Sequence, residues 1–214
     1  LVIQLDKSHI RGNMPPVFLP VYWTQFDNMG IAQTMGILCN PEHAIFDLFP
    51  TEYHTNWQWY DLLRDAHPLI FDEYGMKKCW SKDFIPTVQV IDGWKTNRKL
   101  GVLAEARLGK GKVVITSMNL TDNLDSRISA RQFRISLARY MNSSDFAPKC
   151  VISPEHIYNL LKSNDKGYKQ SVIRKISVSN VKSTSYINDI SDGSLKTVWK
   201  GNIKDKKNAC IGNV

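Results

Sequence analysis

VQVIDGWKTNRKLGVLAEARLGKGKVVITSMNL, residues 88–120, holds three strand signals in a row. Pro86–Ile91 reads as one strand, and Leu100–Glu105, with alternating apolar positions, as a second. Val113–Ser117 is the third, a β-branched apolar run suited to a buried strand. Leu108–Lys112 between the last two is a hairpin-type turn. It is no phosphate cradle, because it lacks the GxxxxGK[ST] spacing and precedes a strand rather than a helix. After Ile91 comes a polar loop carrying Asp92, Trp94, Asn97 and Arg98. Loops at the carboxyl ends of strands are where α/β sheets place ligands, which makes these four residues a candidate surface. The competing reading is an ordinary loop in which Arg98 pairs with Asp92 or with Glu52.

Helix signals surround these strands. Asn40-Pro41-Glu42 starts a short helix that Phe49-Pro50 closes, and His43 reads as a surface or capping residue. Thr55 or Asn56 caps a second helix bearing Trp57, Trp59, Tyr60, Leu62 and Leu63. Thr121 or Asp122 opens a long helix to Met141, with Ile128, Phe133, Ile135, Leu137, Ala138 and Met141 near helical spacing. Leu1–Leu5, Val21–Trp23, Gly36–Leu38 and Pro68–Phe71 are further apolar or strand-like runs. Strands alternating with helices predict an α/β domain over residues 1–148, with a mainly parallel sheet flanked by helices. Residues 149–172 read as a helix and linker, with Ser153-Pro154-Glu155 as the helix start. Residues 173–214, rich in Ser, Val and Ile, read as a small β-rich segment.

Composition bounds the function. The chain has 214 residues, 43% of them apolar and 22% charged, the profile of a globular protein. No run approaches the roughly 18 apolar residues of a membrane span. The chain opens on LVIQLD, without a basic leader, and this start reads as a strand in mid-fold, hence as a fragment of a larger protein. Residues 1–148 hold 16 Lys/Arg against 15 Asp/Glu, and residues 149–214 hold 12 against 5. The basic residues of the second part are scattered among Ser, Asn and Asp, as on a solvated β surface, so no nucleic-acid partner is expected. Cys39, Cys79, Cys150 and Cys210 show no metal-ligand spacing. No metal, no cofactor and no catalytic residue is assigned.

FPTEYHTNWQWYDLL, residues 49–63, is the other candidate site. Its rings alternate with hydrogen-bonding groups. This composition suits a sugar contact, where a ring stacks on the C–H face of a pyranose and amides and carboxylates hold the hydroxyls. It equally suits an interface between domains, or a core. Trp57 and Trp59 lie two apart, so on a helix they point roughly 200° apart and at most one faces the core. Glu52, His54, Asn56, Trp57 and Trp59 are expected to join Asp92, Trp94, Asn97 and Arg98 in one polar-aromatic surface. Glu52 and His54 near Cys39 would also fit a Cys-His-Glu amidotransferase site. However, GILCNPEH lacks the small residues that a strained nucleophile elbow needs on both sides of the cysteine.

Three segments together carry a family resemblance: residues 49–63, residues 88–120 and the helix end ARQFRISLARYM at 130–141. They resemble the C-terminal accessory region of large secreted glycoside hydrolase family 2 proteins, β-galactosidase-like enzymes of the Bacteroidetes type. In these a glutamine-amidotransferase or ThuA-like domain follows the catalytic barrel. Residues 189–199, DISDGSLKTVW, resemble the start of a discoidin-type carbohydrate-binding sandwich. The resemblance implies an amidotransferase/flavodoxin-like fold, incomplete at its start, and a periplasmic or extracellular location. The implied partners are the other domains of the parent glycosidase, and carbohydrate. The catalytic barrel with its two glutamates is absent from the 214 residues, so the implied role is non-catalytic. The alternatives are a stand-alone carbohydrate-binding module and a ThuA-like enzyme in its own right.

Overall fold

Two connections decide the sheet. The strands Val88–Asp92 (β4) and Lys99–Leu108 (β5) are joined by the six residues 93–98, and β5 is joined to Gly111–Thr116 (β6) by Gly109-Lys110. A parallel pair needs a crossover of about a dozen residues or more. Both connections must therefore turn back, and both pairs are antiparallel. Gly109 sits at φ 58°, a left-handed value that glycine adopts without steric cost.

The computed structural model describes residues 1–14, 16, 34–73, 80, 81, 83–93, 96–162 and 212–213. They form one mixed sheet that also contains Val2–Gln4 (β1), Thr34–Cys39 (β2), Leu69–Asp72 (β3), Val151–Ile152 (β7) and Gly212–Asn213 (β8). β2 pairs with β4 and β3 with β5, both antiparallel. Among the described residues the pairs β1–β6, β1–β8 and β5–β7 are parallel. This corrects the expected mainly parallel, flavodoxin-like α/β sheet: the fold is a mixed, mostly antiparallel sheet with few helices. The strand signals at 88–120 are present, but the short connections between them exclude helical crossovers. Val21–Trp23, the linker from 163 and the discoidin-like segment lie outside the described residues.

β5 is the hub. Leu103 pairs with Val88 on one edge and Thr116 on the other, and Leu108 pairs with Gly111 and Ile152. The β4–β5 register slips between Val88 and Gln89, so Val102 is an extra residue in β5. The Val102 carbonyl accepts from Ser117 N (3.0 Å) and Thr116 Oγ1 (2.8 Å). The slip reverses the alternation of the strand. Leu100, Val102 and Leu103 enter one core, whereas Ala104 and Ala106 enter the other.

The first core lies between the sheet and the helices. Ile128–Met141 (α2) buries Ala130, Phe133, Leu137 and Tyr140, spaced three and four apart. Ser136 ties α2 to the 3₁₀ turn Ala44–Phe46: its Oγ donates to Ile45 O (2.6 Å) and accepts from Leu48 N (3.1 Å). α2 starts later than the sequence predicts. Asn119 Oδ1 accepts from the backbone N–H groups of Thr121 and Asp122, and Asn123 turns left-handed at φ 50°, which holds 121–126 out of the helix. Ile128 and Ile135, expected in the apolar stripe, are exposed. The second core covers the opposite face of β5, β6 and β1. It contains Ile10, Trp80, Phe84 and, after β7, Ile157 of the helix Pro154–Tyr158 (α3), with Leu160 and Leu161. Residues 149–162 thus continue the same packed unit, and Leu161 bridges Ile10.

Candidate functional site

Residues 50–64 are built around a buried tryptophan. Asn56 caps the 3₁₀ turn Trp57–Trp59, its Oδ1 accepting from Gln58 N at 3.1 Å, and the chain continues as a one-turn helix, Tyr60–Leu63 (α1). Trp59 is fully buried, edge-on to Phe46 and Phe49 and beside Phe133, with ring centroids 5.4–6.0 Å away. Its Nε1 donates to Thr51 Oγ1 (2.8 Å), so the polar tip is satisfied inside. Gln58 Nε2 donates to Pro50 O (2.8 Å) and closes the loop. Trp59 was expected on the surface with the other candidates, and it is instead the segment's anchor in the first core. The expected division of the two tryptophans is found: Trp57 is 86% exposed.

The remaining candidates form two groups. Glu52 and His54 are solvent-facing, with Glu52 Oε2 3.7 Å from His54 Nε2. His54 Nδ1 donates to Thr55 O (3.2 Å). His54 bridges Leu38 near the carboxyl end of β2. Asp92 pairs with Thr34 at the other end of that strand. Thr34 and Leu38 lie four positions apart along β2, roughly 13 Å at the usual rise. The single polar-aromatic surface expected from the sequence is therefore not assembled.

Asp92 and Arg98 hold each other. Arg98 Nε and Nη2 donate to the two Asp92 oxygens at 2.9 Å each, and Arg98 N and Thr96 Oγ1 each donate to Oδ2 at 2.7 Å. The Asp92 side chain is 2% exposed and that of Arg98 12%. Burial pushes the Asp92 carboxyl up, but the bonds from Arg98 and Thr96 outweigh it and hold the group below the ordinary carboxylate range. Asn97 closes this loop at φ 43°. Of the two sequence readings, the closed loop with an Asp92–Arg98 pair is the one that forms. Trp94 lies outside the described residues.

Cys39 faces the first core. Its Sγ donates to the backbone carbonyl of Glu52 (3.3 Å), and burial pushes the thiol up to about 11. A nucleophilic cysteine needs the opposite shift. The carboxylate of Glu52 and the ring of His54 point to solvent. Among the described residues no group of three or more His, Cys, Asp or Glu could hold a metal ion, and no helix is long and apolar enough to cross a membrane.

Two surface features escaped the residue-by-residue reading. Tyr60, 53% exposed, packs its ring 5.9 Å from Trp57 at 53°, and Arg64 lies over Tyr60 with Cζ 6.0 Å from the ring centroid. The spacing 57, 60, 64 is the signal that places them on one face. The second feature is on the sheet. Ile37, Cys39, Val88 and Val90 face the first core, so Leu38 and Ile91 point to the opposite side, where they are 41% and 42% exposed. Among the described residues the second core does not reach them, and Met35 of β2 is exposed as well.

No curated protein matches this sequence. The family model described as a domain of unknown function, DUF8487, matches residues 1–162, from β1 through α3 and the bridge to Ile10. The chain belongs to the DUF8487 family.

Proposed function

We propose that the chain is a non-catalytic accessory domain of a secreted β-galactosidase-like glycoside hydrolase, packed against other domains of that enzyme through the open face of β2 and β4. The observation that carries the packing is the half-covered sheet. β5, β6 and β1 are buried on both faces, while Leu38 and Ile91 continue the apolar face of the sheet into solvent. Exposed apolar side chains that extend a covered face mark a contact surface, and domain interfaces within one chain are of moderate size and mixed polarity. The glycosidase parentage rests on the resemblance of residues 49–63, 88–120 and 130–141. The buried, raised thiol of Cys39 speaks against the ThuA-like enzyme that would need it as nucleophile.

Leu38→Asp tests the packing in the parent enzyme. In the separate chain this exposed position should change stability by about 0.5 kcal/mol or less. In the parent it should free the domain to unfold at its own temperature and expose the linker to protease. A parent whose melting and protease pattern are unchanged by Leu38→Asp would sink the proposal.

A further inference from the structure

We propose that Trp57, Tyr60 and Arg64 form a glycan-binding ladder that takes the C–H face of a pyranose in a β-linked oligosaccharide. The choice of sugar rests on the glycosidase reading above; the ladder itself rests on geometry. Among the described residues Trp57 is the most exposed of the large apolar side chains, at 86%. It does not hang from a loose loop. Asn56 caps its turn, Gln58 is fastened to Pro50 O, and Trp59, two residues on, is wedged among Phe46, Phe49 and Phe133. A ring presented on a locked segment binds without the entropic cost of ordering that segment.

The surroundings favour sugar over protein. Between Glu52 and Asp65 the exposed large apolar side chains are Tyr53, Trp57 and Tyr60, all aromatic, and none is aliphatic. Around them Glu52, His54, Arg64 and Asp65 are exposed and charged or polar. A stable protein contact takes about 20 residues a side with a desolvated apolar centre. Trp57 and Tyr60 among charges are too little apolar surface for that. They suit one or two pyranose rings, whose C–H faces meet the aromatic planes while their hydroxyls meet the rim. Arg64 backs the platform: its guanidinium lies over one face of Tyr60, leaving Trp57 as the main stacking surface, while its Nε engages Asp65 at 3.2 Å.

Titration calorimetry on the 214-residue chain with cellohexaose and with β-1,4-galactotetraose tests the proposal. The expected result is saturable binding of at least one of them, weakened tenfold or more by Trp57→Ala and less by Tyr60→Ala or Arg64→Ala. The circular dichroism and melting of Trp57→Ala should match the parent chain, since the side chain is outside the core. Absence of saturable binding to both sugars, or equal affinity in Trp57→Ala, overturns it. Release of the domain from its parent enzyme by Trp57→Ala, without sugar binding, would make the ladder a protein contact and equally overturn it. The Leu38→Asp result is independent: sugar binding with an unaffected parent would leave the ladder standing and remove the packing proposal.

Discussion

Residues 49–64 and residues 92–98 have the same composition of rings, acids, amides and arginine, and the fold uses them oppositely. In the loop after β4 the polar groups engage each other: Asp92 receives the Arg98 guanidinium, the Arg98 N–H and the Thr96 hydroxyl within seven residues of chain. In the aromatic segment one ring is driven inside as an anchor and its neighbour two positions away is left in water. Available chemistry follows from which groups remain unengaged, and composition cannot report that. A loop that closes on itself is a structural clasp, whereas a segment anchored at one residue displays the next.

The sharpest way to break this comparison is at the anchor. Trp59→Ala should cost about 3–5 kcal/mol, because it empties a fully buried site, and the loss would appear as a lower denaturation midpoint. A loss below about 1 kcal/mol would mean that the segment is not held from inside. The clasp comes next. Asp92→Ala leaves Arg98 without its carboxylate in a nearly buried site and should cost about 3 kcal/mol. Acid should act on the same bond. The lowered carboxyl of Asp92 gives stability that is complete above its unfolded pKa, about 3.9, and lost as pH falls through the folded value. Asp92→Asn should flatten that part of the acid limb in a pH series of unfolding curves; an unchanged limb would rule out the ionised clasp. Gly101→Ala tests the sheet between the two regions. A Cβ there would sit 2.6 Å from Pro86 Cβ and 2.9 Å from Val88 O, which should cost about 1–3 kcal/mol in the same unfolding assay. The smallest effect belongs to the displayed ring. Trp57→Ala should change stability by about 0.5 kcal/mol or less, and a large loss would show that this ring too is structural.

Local signals in the sequence proved good guides to local structure. Strands expected at 86–91, 100–105 and 113–117 are found at 88–92, 99–108 and 111–116, Asn56 is the one of the two expected caps that is used, and Ser153-Pro154 opens α3. The separation of Trp57 from Trp59 follows from helical geometry alone. Strands and helices alternating along the chain point to a parallel sheet, but the lengths of the connections overrule that signal. The two-residue turn at Gly109-Lys110 already excluded a parallel neighbour. The delayed start of α2 lies in the Asn119 and Asn123 turns, which compete with the helix for backbone donors. The failure of the single surface has a longer-range cause. Whether Glu52 and Asp92 meet depends on which end of β2 each adjoins, and no nearest-neighbour pattern encodes that register.

The extra residue at Val102 has a mechanical consequence. β5 feeds the first core through Leu103 and the second through Ala104, so adjacent residues of one backbone stitch the two cores together. Strands flank it on both edges, and no seam runs between the halves. Tension applied at β2 passes through β4 into β5 and from there to β7 and the chain leading into α3. A neighbour that grips the open face of β2 and β4 therefore pulls on both cores through one backbone.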